Sequence, residues 1–195
     1  VGQFHYEPDY GVIKWTPQTD SGSFRFKARV TDQDLNTIEF DWTVDVDVSK
    51  FVFIQDNWSG EKKGTFEEPL EDFTDWYKED EDDDTFSNKI VVFREGEYNL
   101  WGAEESNGNV RLNAETKTSS LIGFPGELAT IDSSKAKILT DAKGMNDVFV
   151  ANLAWVNSRQ DVKNAHFIWL RGGTSRAVLW KNVFSNHGPG QVGTD

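Results

Sequence analysis

The stretches DVFVANLAWVN (residues 147–157) and RAVLWKNVFSN (residues 176–186) decide how the chain is read, because they are two copies of one pattern. Trp155 aligns with Phe184 and Asn157 with Asn186, a spacing of 29 residues in both cases. A repeat of that length is solenoid-sized. If each coil of chain stacks on the one before it, equivalent positions lie about 4.8 Å apart along the axis. Aromatic side chains then pile up inside. An Asn held at a fixed turn can hydrogen-bond from coil to coil.

Working outward, residues 119–132 give two short strands across the corner Pro125-Gly126. Phe51–Ile54 and Ile90–Phe93 are two further apolar runs of strand length, with a polar loop around Asp56, Asn57, Trp58 and Gly60 after the first. Between them Leu70, Phe73, Trp76 and Tyr77 fall at helical spacing behind Pro69, and Pro is tolerated in a first turn. This predicts a short amphipathic helix over residues 69–78, followed by a solvated acidic loop from Glu79 to Asp84.

Residues 1–48 have a different texture. Phe24, Phe26, Ala28 and Val30 alternate with Ser23, Arg25, Lys27 and Arg29, and Ile38, Phe40, Trp42, Val44, Val46 and Val48 continue one apolar face. The polar stretch from Thr31 to Asn36 is a hairpin turn. Two long strands with one apolar face need a second sheet to cover it, and Trp15 and Trp42 belong to that core by alternation. Only about half a sandwich is present. With no initiator Met, the chain is expected to be a fragment of a longer parent.

The net charge of −13 is local: from Glu67 to Asp84 there are eleven acidic residues and one Lys, and the rest of the chain carries 22 acidic and 19 basic residues. That balance argues against nucleic-acid binding, which needs clustered Lys and Arg. No apolar run approaches the ~20 residues that span a bilayer. The absence of cysteine excludes disulfides and thiolate metal sites.

The order Trp15-Thr16-Pro17, Asp20-Ser21-Gly22-Ser23-Phe24, Val30-Thr31-Asp32 and Trp42-Thr43-Val44-Asp45-Val46 resembles the second half of the bacterial Ig-like, cadherin-like spacer family. Residues 50–195 resemble the N-terminal portion of the pectate-lyase-like right-handed parallel β-helix superfamily. The resemblance rests on Gly64-Thr65 with Pro69, on Phe93-Arg94-Glu95-Gly96-Glu97-Tyr98, and on Gly123-Phe124-Pro125-Gly126-Glu127 with Ile131-Asp132. Glu95 departs from the family, which favours Gly there. The resemblance implies an all-β chain: the C-terminal part of an Ig-like β-sandwich over residues 1–49, then a capping helix and the first β-helix coils over residues 50–195. It also implies the setting of large bacterial surface proteins and phage virion proteins.

Polysaccharide lyases on such a scaffold use Arg or Lys as base and carboxylate-bound Ca²⁺ as acidifier. Lys163, His166, Arg171, Arg176 and His187 are the groups that could take part, but strand exteriors and loops carry such residues routinely, and no catalytic residue is assigned. For carbohydrate contact the candidates are Trp58 and Trp101, in polar loops where a ring can stack on a sugar, with Arg171 and Arg176 to bond hydroxyls. Trp155, Trp169 and Trp180 fit strand packing. Asp32, Asp34 and Asn36 have the alternating spacing of half a calcium loop, but lack its following Gly and distal Glu; an Asp-rich turn accounts for them equally. The acidic run Asp80–Asp84 reads as a solvated loop. No cofactor is expected, with Ca²⁺ as the one alternative.

The functional expectation is a non-catalytic segment of an extracellular, cell-surface or virion-surface protein: a phage fibre, spike or decoration protein, or an adhesin. Its partners would be a polysaccharide or cell-surface glycan and other subunits of a larger assembly, with neither nucleic-acid binding nor membrane insertion. Two alternatives stand: the N-terminal part of a secreted polysaccharide lyase or hydrolase with its active site beyond residue 195, or a purely structural assembly protein. The same scaffold hosts all three.

Overall fold

The computed structural model describes residues 3–7, 12–16, 21–73, 75–76, 89–99, 110–112, 120–134, 138–144, 146–158 and 166–186. Nearly all of the regular structure is β, and the chain divides into two compact units, Val1–Ser49 and Lys50–Asp195.

In the first unit β1 (Gln3–Glu7) pairs antiparallel with β2 (Val12–Thr16), and β3 (Ser21–Thr31) pairs antiparallel with β4 (Thr37–Asp47) along its whole length. The period-2 alternation of β3 puts Arg25, Lys27 and Arg29 on the exposed face, where they meet Asp41 and Glu39 of β4. The opposite face half-buries Phe24, Phe26 and Ala28. Trp15 of β2 packs there, its ring 4.7 Å from Phe24 and 4.9 Å from Phe26, while Phe26 stacks on Trp42 at 5.6 Å. Trp42 is nonetheless 38% exposed and Phe40 50%. Their exposure departs from the core role that alternation predicts.

The second unit is built from parallel pairs. β5 (Phe51–Ile54), β6 (Ile90–Phe93), β9 (Ser120–Gly123), β12 (Phe149–Ala151) and β15 (Val178–Trp180) form one sheet in that order. A second contains β7 (Gly96–Asn99), β10 (Ala129–Asp132), β13 (Ala154–Val156) and β16 (Val183–Phe184), and a third β8 (Val110–Leu112), β11 (Ile138–Lys143) and β14 (His166–Arg171). The chain visits the three sheets in turn, and each pass lays its strands beside those of the pass before. Asn146–Asn186 holds the two copies in register: Val150 pairs with Leu179 and Trp155 with Phe184, whose rings stack 6.3 Å apart at 17°.

The interior is a single cluster that includes Val52, Ile54, Val91, Phe93, Leu121, Ile131, Val150 and Trp155, all without measurable exposure. The five-stranded sheet is apolar on its other face as well, where Val92 and Ala151 are 4% exposed. Strands of parallel sheets are commonly buried on both faces and so read as continuous apolar runs instead of alternating ones. At the first edge, Phe53 N–H donates to Gly64 and Leu70 N–H to Phe53, and Leu70 bridges Ile54. The helix expected from Pro69 does not begin there, because Leu70 is taken up in the bridge to Ile54; helical backbone is reached at Phe73, and Phe73 and Trp76 close the interior beside Phe93. Tyr77, Lys78 and the acidic run Asp80–Asp84 lie outside the described residues.

Two substitutions test this packing. A Cβ on Gly123 would stand 2.0 Å from the Asn152 carbonyl oxygen of the next pass. Gly123→Ala should therefore lower unfolding free energy in urea by about 3 kcal/mol or more, since backbone leaves the methyl nowhere to go. Leu35, 81% exposed at the hairpin turn, holds a left-handed backbone (φ 66°). Leu35→Gly relieves its Cβ clash and should stabilise the first unit by up to about 1 kcal/mol, read as a rise in Tm.

Candidate functional site

The most elaborate polar arrangement among the described residues gathers side chains from three successive passes at the corner between the first two sheets. Arg94 follows β6 directly, and its guanidinium is held by Glu127 through Nε (3.0 and 2.8 Å) and Nη2 (2.7 Å). The Glu95 N–H also donates to Glu127, at 2.8 Å. Glu95 itself is exposed. The guanidinium lies 4.2 Å from the ring centre of Phe66 and 5.0 Å from that of Phe124, a cation–π contact on each. Phe53 completes the aromatic group, 5.5 Å from Phe66 and 6.4 Å from Phe124.

Beneath this pair Tyr98 is 3% exposed. Its hydroxyl accepts from Asp56 N–H at 3.2 Å and lies 2.9 Å from the Arg94 carbonyl and 3.1 Å from that of Ile54, to one of which it donates. Burial pushes its pKa up to about 12. The Arg94 hydrogen bonds hold the Glu127 carboxyl below the usual range, and the same contact raises Arg94. Gly96 is needed beside this site, because a Cβ there would meet Asp56 Cβ at 2.5 Å. Chemically the corner is a clamp. Its acid and its base are both locked in one bidentate ion pair, which positions the two passes against each other.

The residues singled out in the sequence are not brought together. Trp58 sits after β5, whereas Arg171 and Arg176 border β14 and β15, four strand spacings or about 19 Å further along the stack. The Trp58 ring folds over Gly60, and its Nε1–H donates to the Glu61 carbonyl at 2.9 Å. Arg171 lies over the Trp169 ring at 4.4 Å, and His166 is 5.6 Å from the same ring. Arg176 is exposed and pairs with Asp147 at 2.5 and 2.7 Å. Trp101, Lys163 and His187 lie outside the described residues.

Asp32, Asp34 and Asn36 do converge, but on one another. Asp32 Oδ1 accepts the N–H groups of Asp34 and Asn36, and Oδ2 accepts the Asn36 amide, each at 2.9 Å. The Asn36 side chain is the first cause of the lowered Asp32 pKa. Turn closure thus accounts for this carboxylate. Among the described residues no group of three His, Asp or Glu side chains is placed to hold a metal ion.

Sequence reading passed over Arg94 and Glu127 as site residues, although both lie in motifs it quoted. The signal was a charge at a strand end with an opposite charge one pass later.

The clamp has a pH signature. Because Glu127 titrates lower when folded, its contribution is fully present above the unfolded carboxyl pKa of ~4.3 and is lost as pH falls through the folded value. Glu127→Gln should cost about 1–3 kcal/mol at pH 7 and flatten the acid limb of stability against pH. Urea titrations from pH 7 down to 3 check both; equal acid slopes in variant and parent would contradict the assignment.

No family model matches the chain, and neither does any curated protein or solved structure.

Proposed function

We propose that the chain is a non-catalytic structural segment of a large extracellular or virion-surface protein. In this reading residues 1–49 are part of an Ig-like spacer, and residues 50–195 are the opening coils of a right-handed parallel β-helix that serves as a stiff rod. One observation carries it: among the described residues between Phe51 and Phe184 every strand pairing is parallel, and successive passes stack like on like. Polar side chains support the same reading, since they link one pass to the next. Arg94 reaches Glu127, Arg176 reaches Asp147, Ser175 reaches Asn146, and the Asn186 amide donates to Asn157 at 3.0 Å. Groups spent on such links stiffen a scaffold and are not poised for proton transfer.

Glycan contact, in this reading, falls near the last passes. Trp169 is 37% exposed with Arg171 over its ring, which offers a sugar an apolar face beside a charge.

The test is a panel of neutral and uronate-rich polysaccharides incubated with the protein, followed by ultraviolet absorbance for unsaturated uronate and by a glycan-binding array. The expected outcome is no uronate release, with binding that Trp169→Ala and Arg171→Ala weaken about tenfold. Release above background would replace the rod with a lyase. Binding to no glycan would leave the purely structural role.

A further inference from the structure

We propose that Asn57 is an acceptor for an N-linked glycan, delivered from a lipid-pyrophosphate-linked oligosaccharide as the protein is exported. The proposal rests on the extracellular part of the reading above and on two observations that the stacked scaffold leaves unused.

The first is in the sequence. Transfer of an oligosaccharide to an Asn side chain needs a hydroxyl two residues on, with any residue but Pro between. Of all the Asn residues in the chain, Asn57 alone meets this, in Asn57-Trp58-Ser59. The second is in the structure. Asp and Asn side chains at the other left-handed corners are engaged. Asp147 pairs with Arg176, Asn152 donates to the Gly123 and Phe124 carbonyls, Asn157 to Asp132, and Asn186 to Asn157. Asn57 shares their backbone, with φ 59°. Yet among the described residues its amide has no partner, and neither has the Ser59 hydroxyl; both residues are exposed.

Turn geometry explains part of this. Asn57 is the third residue of a turn that the Trp58 N–H closes on the Gln55 carbonyl at 3.2 Å, and Asn is favoured where such a turn needs positive φ. That accounts for the residue type, but it leaves the amide idle and says nothing of Ser59. Trp58 between them is drawn aside, its ring over Gly60 and its Nε1–H on the Glu61 carbonyl. In the transfer, Asn57 Nδ2 forms a bond to C1 of the first sugar. The bond from C1 to the pyrophosphate oxygen breaks, the lipid pyrophosphate leaves, and the amide gives up one proton to the transferase. No link between passes is disturbed, because neither side chain makes one.

The test is translation of the full 195-residue chain behind a cleavable signal peptide, with endoplasmic-reticulum microsomes present. Intact mass is then read on the fraction protected from protease. One N-linked glycan is expected, which peptide N-glycosidase removes, leaving the mark of deamidation at position 57. Asn57→Gln and Ser59→Ala should each abolish it, and Ser59→Thr should keep it. Ser59→Ala removes no hydrogen bond of the folded chain, so its circular dichroism and Tm should match the parent's; that separates lost recognition from lost fold. A protected chain without added sugar overturns the proposal, as does sugar that survives Asn57→Gln or Ser59→Ala. Such a result leaves the extracellular reading standing, since entry into the microsome is driven by the added signal and the location of the parent protein is measured separately.

Discussion

A parallel strand can be paired along both edges only if the chain returns to the same side on every pass, so the corners have to turn alike. Left-handed backbone does the turning. Asp147, Asn152 and Asn157 have φ of 60°, 57° and 58°, and Arg176, Lys181 and Asn186 repeat them at 51°, 52° and 52°. In the earlier copy all three corners are Asp or Asn, the non-glycine residues that tolerate this region best. In the later copy two of them are Arg and Lys, which gain nothing locally from it. The corner is held there by the stack, through the hydrogen bonds of Val178 N–H to Val148 and of Val183 N–H to Leu153. Local preference sets the first copy, and register on a formed template sets the second.

The interior depends on the same returns. Trp155 is buried completely, and a buried indole N–H needs an acceptor. Asn182 of the following pass supplies it: its Oδ1 accepts from Trp155 Nε1 and from Leu153 N–H, both at 3.3 Å, and its Nδ2 donates to the Val150 carbonyl at 2.8 Å. One amide thus satisfies three polar groups of the pass beneath. Asn152 satisfies two groups one pass earlier, donating to the Gly123 and Phe124 carbonyls at 3.1 Å. Gly123 has to be glycine for that approach.

How much of this could be read from the sequence follows from where the spacing is constant. The last two copies were legible because each corner has the same length, so Trp155 and Phe184 align by inspection. In the second sheet the earlier passes hide the period. Tyr98 lies under Ile131, and Ile131 under Trp155, at quite different separations, because the corner from Phe124 to Leu128 is longer than its neighbours. The five-stranded sheet keeps the period in the earlier passes, 30 residues from Val91 to Leu121 and 29 from Leu121 to Val150, but its aliphatic side chains do not mark it as Trp155 and Phe184 do. Site residues were harder for a related reason. Trp58 stands out by type but is engaged within its own loop, by the Glu61 carbonyl. Arg176 stands out too, yet Asp147 of the pass below engages it, and sequence alone does not show a partner a pass away. Arg94 and Glu127 drew no notice for the same reason.

Side-chain links also answer a problem that the five-stranded sheet creates for itself. Where one face of a strand is polar, a slip of one residue turns apolar groups to solvent and is strongly resisted. In the runs FVFI (51–54) and IVVF (90–93) both faces are apolar, so a slipped strand still buries hydrophobic side chains. Hydrophobic burial is therefore a weak guide to register here, and directional contacts have to supply it. The bidentate pair of Arg94 with Glu127, the paired Arg176 and Asp147, and the Asn157–Asn186 amides all sit at corners, where a one-residue shift would carry the partners beyond hydrogen-bond reach. Arg94 and Glu127 are part-buried, whereas the pair of Arg176 and Asp147 is exposed, and such pairs add little to stability. Their contribution at these corners is geometric: they favour one alignment over neighbours that the core alone would accept almost equally well.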